Sequence, residues 1–174
     1  MNSQLYKPNI YKASGDNFRY LLGCTGNKML IAFGINPSKA DQQKSDATIT
    51  RVIRTAEKNN YDGWLMINVC SQRTTDPKKL SDHPSTNEHR KNQSILQATL
   101  KTLPEYACLG AWGNLIDSRN YLKQYLKDLV SETDLMKQPW FCFGTTNHGH
   151  PKHPSRAGYN QFQQFDIYHY LSKL

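Results

Sequence analysis

Asn36, Asn68 and His153 are the side chains whose chemistry and surroundings together point to a site. They belong to GINPS (Gly34–Ser38), LMIN (Leu65–Asn68) and HPSR (His153–Arg156), and a fourth segment, GAWGN (Gly110–Asn114), lies between the last two. An amide is no general base near neutral pH, but it orients a water by accepting its hydrogen bond. An amide at a strand end offers a donor and an acceptor side by side, which is what reading a nucleobase edge requires. A neutral imidazole donates to an oxygen that gains negative charge in a transition state. Singly, each segment has an ordinary explanation. GINPS also reads as a βα turn in which Pro37 fixes φ, and Asn68 as an amide that satisfies loop backbone.

The loop HGHPKHPSR adds His148, His150, Lys152 and Arg156, with prolines that limit the entropy lost in positioning a side chain. Three histidines invite a metal, but no carboxylate at ligand spacing accompanies them in sequence, so no metal and no cofactor are expected. Cys24, Cys70, Cys108 and Cys142 form no CxxC pair. The last three fall in apolar strand-like runs, where a thiol acts as a small hydrophobe. Asp46 suits a helix N-terminus, with a catalytic carboxylate as its alternative. The motifs of P-loop enzymes, α/β-hydrolases and zinc proteases are missing.

These residues need strands that end beside one another. Arg19–Leu22 and Lys28–Gly34 read as strands joined by CTGN, which allows a hairpin. A helix follows over Ala47–Asn59, capped by Ser45 or Asp46, with Ile49, Val52, Ile53 and Ala56 at helical spacing. Trp64–Val69 is a strand, about Asn87–Leu103 a helix, and Tyr106–Trp112 a strand. A helix over about Leu115–Val130, a strand over Trp140–Gly144 and a helix from about Gln161 complete the pattern. Alternating strands and helices imply a parallel sheet with helices on both faces, and its strand exits form the ligand crevice. Residues 1–174 read as one domain, with 1–18 as an irregular arm.

The chain carries a net charge of +8 and a pI near 9.3, which favours a polyanionic partner. Its longest apolar run, Met29–Phe33, is far too short to cross a bilayer, so no membrane partner is expected. No signal-like segment follows Met1, and a cytoplasmic location is the expectation.

With these motifs in view, the chain resembles the uracil-DNA glycosylase superfamily. GINPS is similar to GINPG of its mismatch-specific branch, HPSR to the start of HPSPLS, GAWGN to LLWGS, and LMIN to the strand whose last Asn reads uracil. The resemblance implies a three-layer αβα sandwich with a short, mostly parallel central sheet. It implies that Asn36 positions the attacking water and that His153 donates to the base carbonyl beside the glycosidic nitrogen. Asn68 would hydrogen-bond the base, with Gly34, Ile35, Pro37 and Ser38 around it. Arg73, Lys152, Ser155, Arg156 and Tyr159 would contact nucleic acid, DNA ahead of RNA, with no metal. Ser38 stands where GINPG has its last Gly. Arg156 stands where HPSPLS has its second Pro, and no Leu follows to act as a wedge; Arg156 or Tyr159 is the substitute at hand. The segments RYLLG, GINPSKAD, DATITR, INVCSQRTTDP, AWGN and GHPKHPSR also resemble an uncharacterised family, domain of unknown function number 1643. The functional expectation is hydrolysis of a base–sugar N-glycosidic bond. The alternatives are a non-catalytic nucleic-acid or nucleotide-binding module of the same fold, and an enzyme of free nucleosides or nucleotides.

Overall fold

The computed structural model describes residues 7–158 and 161–174. Among the described residues seven strands form one mixed sheet: β1 (Ile10–Ser14), β2 (Phe18–Cys24), β3 (Lys28–Gly34), β4 (Gly63–Asn68), β5 (Glu105–Gly110), β6 (Trp140–Cys142) and β7 (Gln163–Gln164). Their order is β1-β2-β4-β3-β5-β6-β7. The centre, β4-β3-β5-β6, is parallel as the alternation implied. The pairings at both edges are antiparallel, so the sheet as a whole is mixed rather than mostly parallel.

The helices are α1 (Ala47–Lys58), α2 (Thr86–Leu100), α3 (Asn120–Ser131) and α4 (Ile167–Ser172). Asp46 caps α1 by accepting the Ile49 N–H at 2.9 Å. Strand β3 is buried on both faces, and its period of two divides the interior into two cores. Leu30 and Ala32 pack with Ile49, Val52, Ile53 and Ala56 of α1. Ile31 and Phe33 pack with Leu96 of α2, Leu126 of α3 and Leu171 of α4. Helices therefore cover both sides of the sheet, and each fully buried Leu or Ile contributes about 1.5–3 kcal/mol.

Four expectations change. Residues 1–18 are not wholly irregular: Ile10–Ser14 pairs antiparallel with β2. An edge strand held by backbone pairing needs little apolar alternation to mark it. β2 and β3 do not form a hairpin, because β4 lies between them, antiparallel to β2 and parallel to β3. The Asp62 carboxylate accepts the Lys28 N–H at 2.7 Å and fixes the link where it passes the start of β4. The helix expected over about 115–130 begins at Asn120, after a 3₁₀ turn at Gly113–Asp117, and the one expected from Gln161 begins at Ile167. No helix among the described residues is long and apolar enough to cross a membrane.

Candidate functional site

Parallel register brings the motifs to one edge. Gly34 pairs with Asn68, and Phe33 with Gly110, so GINPS and GAWGN begin at the level where LMIN ends. There a cavity of about 640 Å³ opens, and Asn36, Asn68 and His153 all line it. Gly34, Ile35, Ser38, Lys152, Ser155 and Arg156 share its wall, together with Trp112–Asn114 and the start of α1.

The β3 and β4 exits are stitched together beyond the sheet. Val69 N–H donates to Gly34 O at 2.9 Å and Cys70 N–H to Ile35 O at 2.8 Å. Asn36 Nδ2 donates to Thr74 O at 2.8 Å and to Pro37 O at 3.2 Å. Two carbonyl partners fix which end of this amide is nitrogen. Its Oδ1 is thereby the acceptor that remains for a ligand or a water.

Asn68 is 1 % exposed, and its backbone carbonyl accepts the Asn92 amide at 2.9 Å. Its own Nδ2 and Oδ1 have no hydrogen-bond partner among the described residues. Leaving buried polar groups unpaired costs about 1–3 kcal/mol each, so this amide is an unusual feature of the cavity wall. Gly34 makes room for it: a Cβ there would meet Asn68 Oδ1 at 3.0 Å and Met66 Cε at 2.5 Å.

His153 caps the 3₁₀ turn Pro154–Arg156. Its Nδ1 accepts the Ser155 N–H at 3.3 Å and lies 2.8 Å from Ser155 Oγ. A backbone N–H only donates, so the neutral imidazole carries its proton on Nε2. Burial, helped by the Arg156 guanidinium and opposed by Asp46, holds this imidazole below the usual histidine value. It is therefore neutral at physiological pH and presents an N–H donor. Arg51 of α1 grips the turn, donating from Nε to Pro154 O at 2.9 Å and from Nη2 to Ala157 O.

Arg19, Lys152 and Arg156 line the cavity against one carboxylate, Asp46, which gives the wall a positive balance. Arg19 was not singled out from the sequence. It is 2 % exposed, and its Nη1 donates to Ala40 O at 2.6 Å, tying β2 to the loop after GINPS. The signal was available as an arginine opening the apolar run RYLL. Thr74 and Asn114 also escaped notice; Asn114 Oδ1 accepts Thr146 Oγ1–H at 2.6 Å, and both of these residues reach the wall.

Other expected contacts fall elsewhere. Pro37 is buried and off the wall; its carbonyl accepts Thr74 N–H at 3.0 Å and closes the loop. Arg73 lines a separate cavity of about 310 Å³ beside α2 and α3. Its N–H donates to Asn17 O at 2.8 Å and its Nη1 to Tyr11 Oη at 3.1 Å, so the chain there turns back towards β1. Tyr159 lies outside the described residues. Cys108 and Cys142 are buried and Cys70 is half-buried just past β4, and burial pushes all three thiols up. Asp117, from 33 positions before His150, supplies the carboxylate that spacing alone did not reveal beside His148 and His150.

A family model matches residues 19–155. The chain belongs to the family described as Protein of unknown function (DUF1643). The matched stretch takes in every cavity-lining residue except Arg156. No curated protein and no solved structure matches the chain.

Proposed function

We propose that this member of the DUF1643 family binds a nucleobase in the large cavity and hydrolyses its bond to the sugar, as uracil-DNA glycosylases do. The observation that carries this is the Asn68 amide, 1 % exposed and unpartnered among the described residues at both its donor and its acceptor, on the wall it shares with Asn36 and His153. A planar ring with an N–H beside a carbonyl satisfies such an amide at both ends. The fold is then that of a uracil-DNA glycosylase with added antiparallel edge strands.

In this reading the bond from C1′ to the base nitrogen breaks and the electron pair leaves with the base. The His153 Nε2–H donates to the base carbonyl where negative charge develops. Water adds to the electron-poor C1′, its hydrogen bond accepted by Asn36 Oδ1, and the proton it sheds neutralises the departed base through solvent. Lys152 and Arg156 neutralise phosphate on the nucleic acid, so binding weakens with salt. An extrahelical or single-stranded nucleotide is required, because a stacked base cannot enter a cavity.

Incubation with oligonucleotides bearing varied modified bases, followed by detection of free base and abasic sites, tests the reading. Base release that is lost in His153→Ala supports it. Salt-sensitive binding with no release from any base indicates the non-catalytic module, a reading that Ser38 on the wall favours. Turnover of nucleosides but not of oligonucleotides assigns the cavity to free substrates.

A further inference from the structure

A second group of titratable side chains lies off the large cavity, where the loop after β6 meets the 3₁₀ turn before α3. Asp117, His148 and His150 each bring one ligand atom within 4.8 Å of the others. We propose that these three residues bind one borderline divalent cation such as Zn²⁺.

Gly149 sets up the pair of imidazoles. Its φ of +80°, disfavoured for other residues, turns the chain so that the rings of His148 and His150 sit 6.4 Å apart on one side. Asp117 Oδ2 lies 2.8 Å from His150 Nε2 and 3.7 Å from His148 Nδ1. Atoms sharing a tetrahedral Zn²⁺ stand roughly 3.3–3.5 Å apart, so a small adjustment of the exposed His148 ring accommodates the ion. Two imidazoles and one carboxylate select a zinc-like ion over Mg²⁺ or Ca²⁺, which prefer oxygen ligands.

The groups behind the ligands are those a metal site needs. Lys123 Nζ holds the other Asp117 oxygen at 2.8 Å, leaving Oδ2 turned towards the histidines. His150 is 6 % exposed, and its Nδ1 lies 2.8 Å from Tyr170 Oη. Ligation uses the Nε2 lone pair, so the imidazole proton moves to Nδ1, where Tyr170 Oη accepts it. Such outer contacts fix a ligating ring in place. A space of about 580 Å³ adjoins all three residues and leaves the fourth coordination position to water or a small anion.

Titration of the untagged protein with Zn²⁺ by calorimetry, with Mg²⁺ in parallel, is the test. The expected result is one Zn²⁺ per chain and no response to Mg²⁺. His148→Ala and Asp117→Asn are expected to weaken Zn²⁺ binding by at least about tenfold, whereas His83→Ala leaves it unchanged. The His148 side chain is 64 % exposed, so its variant is expected to unfold in metal-free buffer at the wild-type midpoint. Failure of Zn²⁺ to saturate at submillimolar concentration, equal response to Mg²⁺, or binding that survives both substitutions overturns the proposal.

Discussion

His150 and His153 stand three positions apart in one loop and end in opposite situations. Around His150 every polar capacity is met inside the protein. Trp112 Nε1–H donates to Tyr170 Oη at 2.9 Å, and Tyr170 Oη in turn reaches His150 Nδ1 at 2.8 Å. His150 Nε2 reaches Asp117 at 2.8 Å. The carboxylate only accepts, so the ring proton is on Nε2 and Tyr170 donates to Nδ1. The chain of bonds ends on the same Trp112 that lines the large cavity. Around His153 the Nδ1 nitrogen is anchored by Ser155, and Nε2 carries the proton on the residue that lines the large cavity. A saturated polar chain sets shape, and a half-saturated one retains the capacity to recognise a ligand.

Substitution at the two positions should separate these roles. If the cavity hydrolyses an N-glycosidic bond, His153→Ala removes one hydrogen bond to a developing anion and raises the barrier by about 3–4 kcal/mol. Its unfolding midpoint is expected to move little, because no other buried group loses its partner. His150→Ala reverses the pattern. It leaves Tyr170 and Asp117 without a shared partner and is expected to cost about 1–3 kcal/mol of stability. Denaturant titration beside a base-release assay checks both. A His153→Ala variant that loses stability without losing activity would break the comparison.

Asn68 sharpens it from the other direction. Its side chain makes no hydrogen bond among the described residues, so Asn68→Leu, of similar shape, is expected to gain on the order of 1 kcal/mol in stability and, if the cavity binds a nucleobase, to lose that binding. Destabilisation in that variant would mean the amide serves the fold.

Protonation gives a smaller effect. Burial holds His89 and His153 below the ordinary imidazole value, with Asp128 opposing the shift at His89. The unfolded chain therefore binds protons more readily. Stability is full above the ordinary value of about 6.5 and falls as pH drops through the lowered folded values. Urea midpoints across this window should show the decline, and His153→Gln should lessen it.

The parallel centre of the sheet was legible because each strand there is an apolar run, and β3, β4 and β5 run into a motif. Leu30–Phe33 is buried on both faces, which leaves a continuous apolar signature. The edges were not, since β1 is held by backbone pairing and β7 by two residues that are exposed glutamines. At the site, the amides of Asn36 and Asn68 could be read from their positions at the ends of apolar runs, whereas His153 stands well beyond β6 and was marked only by its place in the proline-rich loop HGHPKHPSR. Arg19 carried a local mark only as an arginine opening the apolar run RYLL, and Asp117 carried none, because what matters about each is a partner far along the chain, Ala40 for one and His150 for the other.

The smallest effect concerns the cations, and Arg73 is its control. Lys152 and Arg156 line the large cavity, whereas Arg73 bonds Tyr11 and faces the neighbouring one. If nucleic acid lies across the large cavity, Lys152→Gln removes one phosphate contact and lowers the slope of log affinity against log salt by about 1. The loss should be similar for all sequences, since phosphate contacts carry no base information. Arg73→Gln is expected to leave both affinity and slope at wild-type values, with any change confined to a modest loss of stability from the Tyr11 bond. Fluorescence-anisotropy titrations of one labelled oligonucleotide at several salt concentrations measure both variants. Equal slopes for the two would place the strand over both cavities, and a larger change for Arg73→Gln would move the binding track to the α2–α3 side.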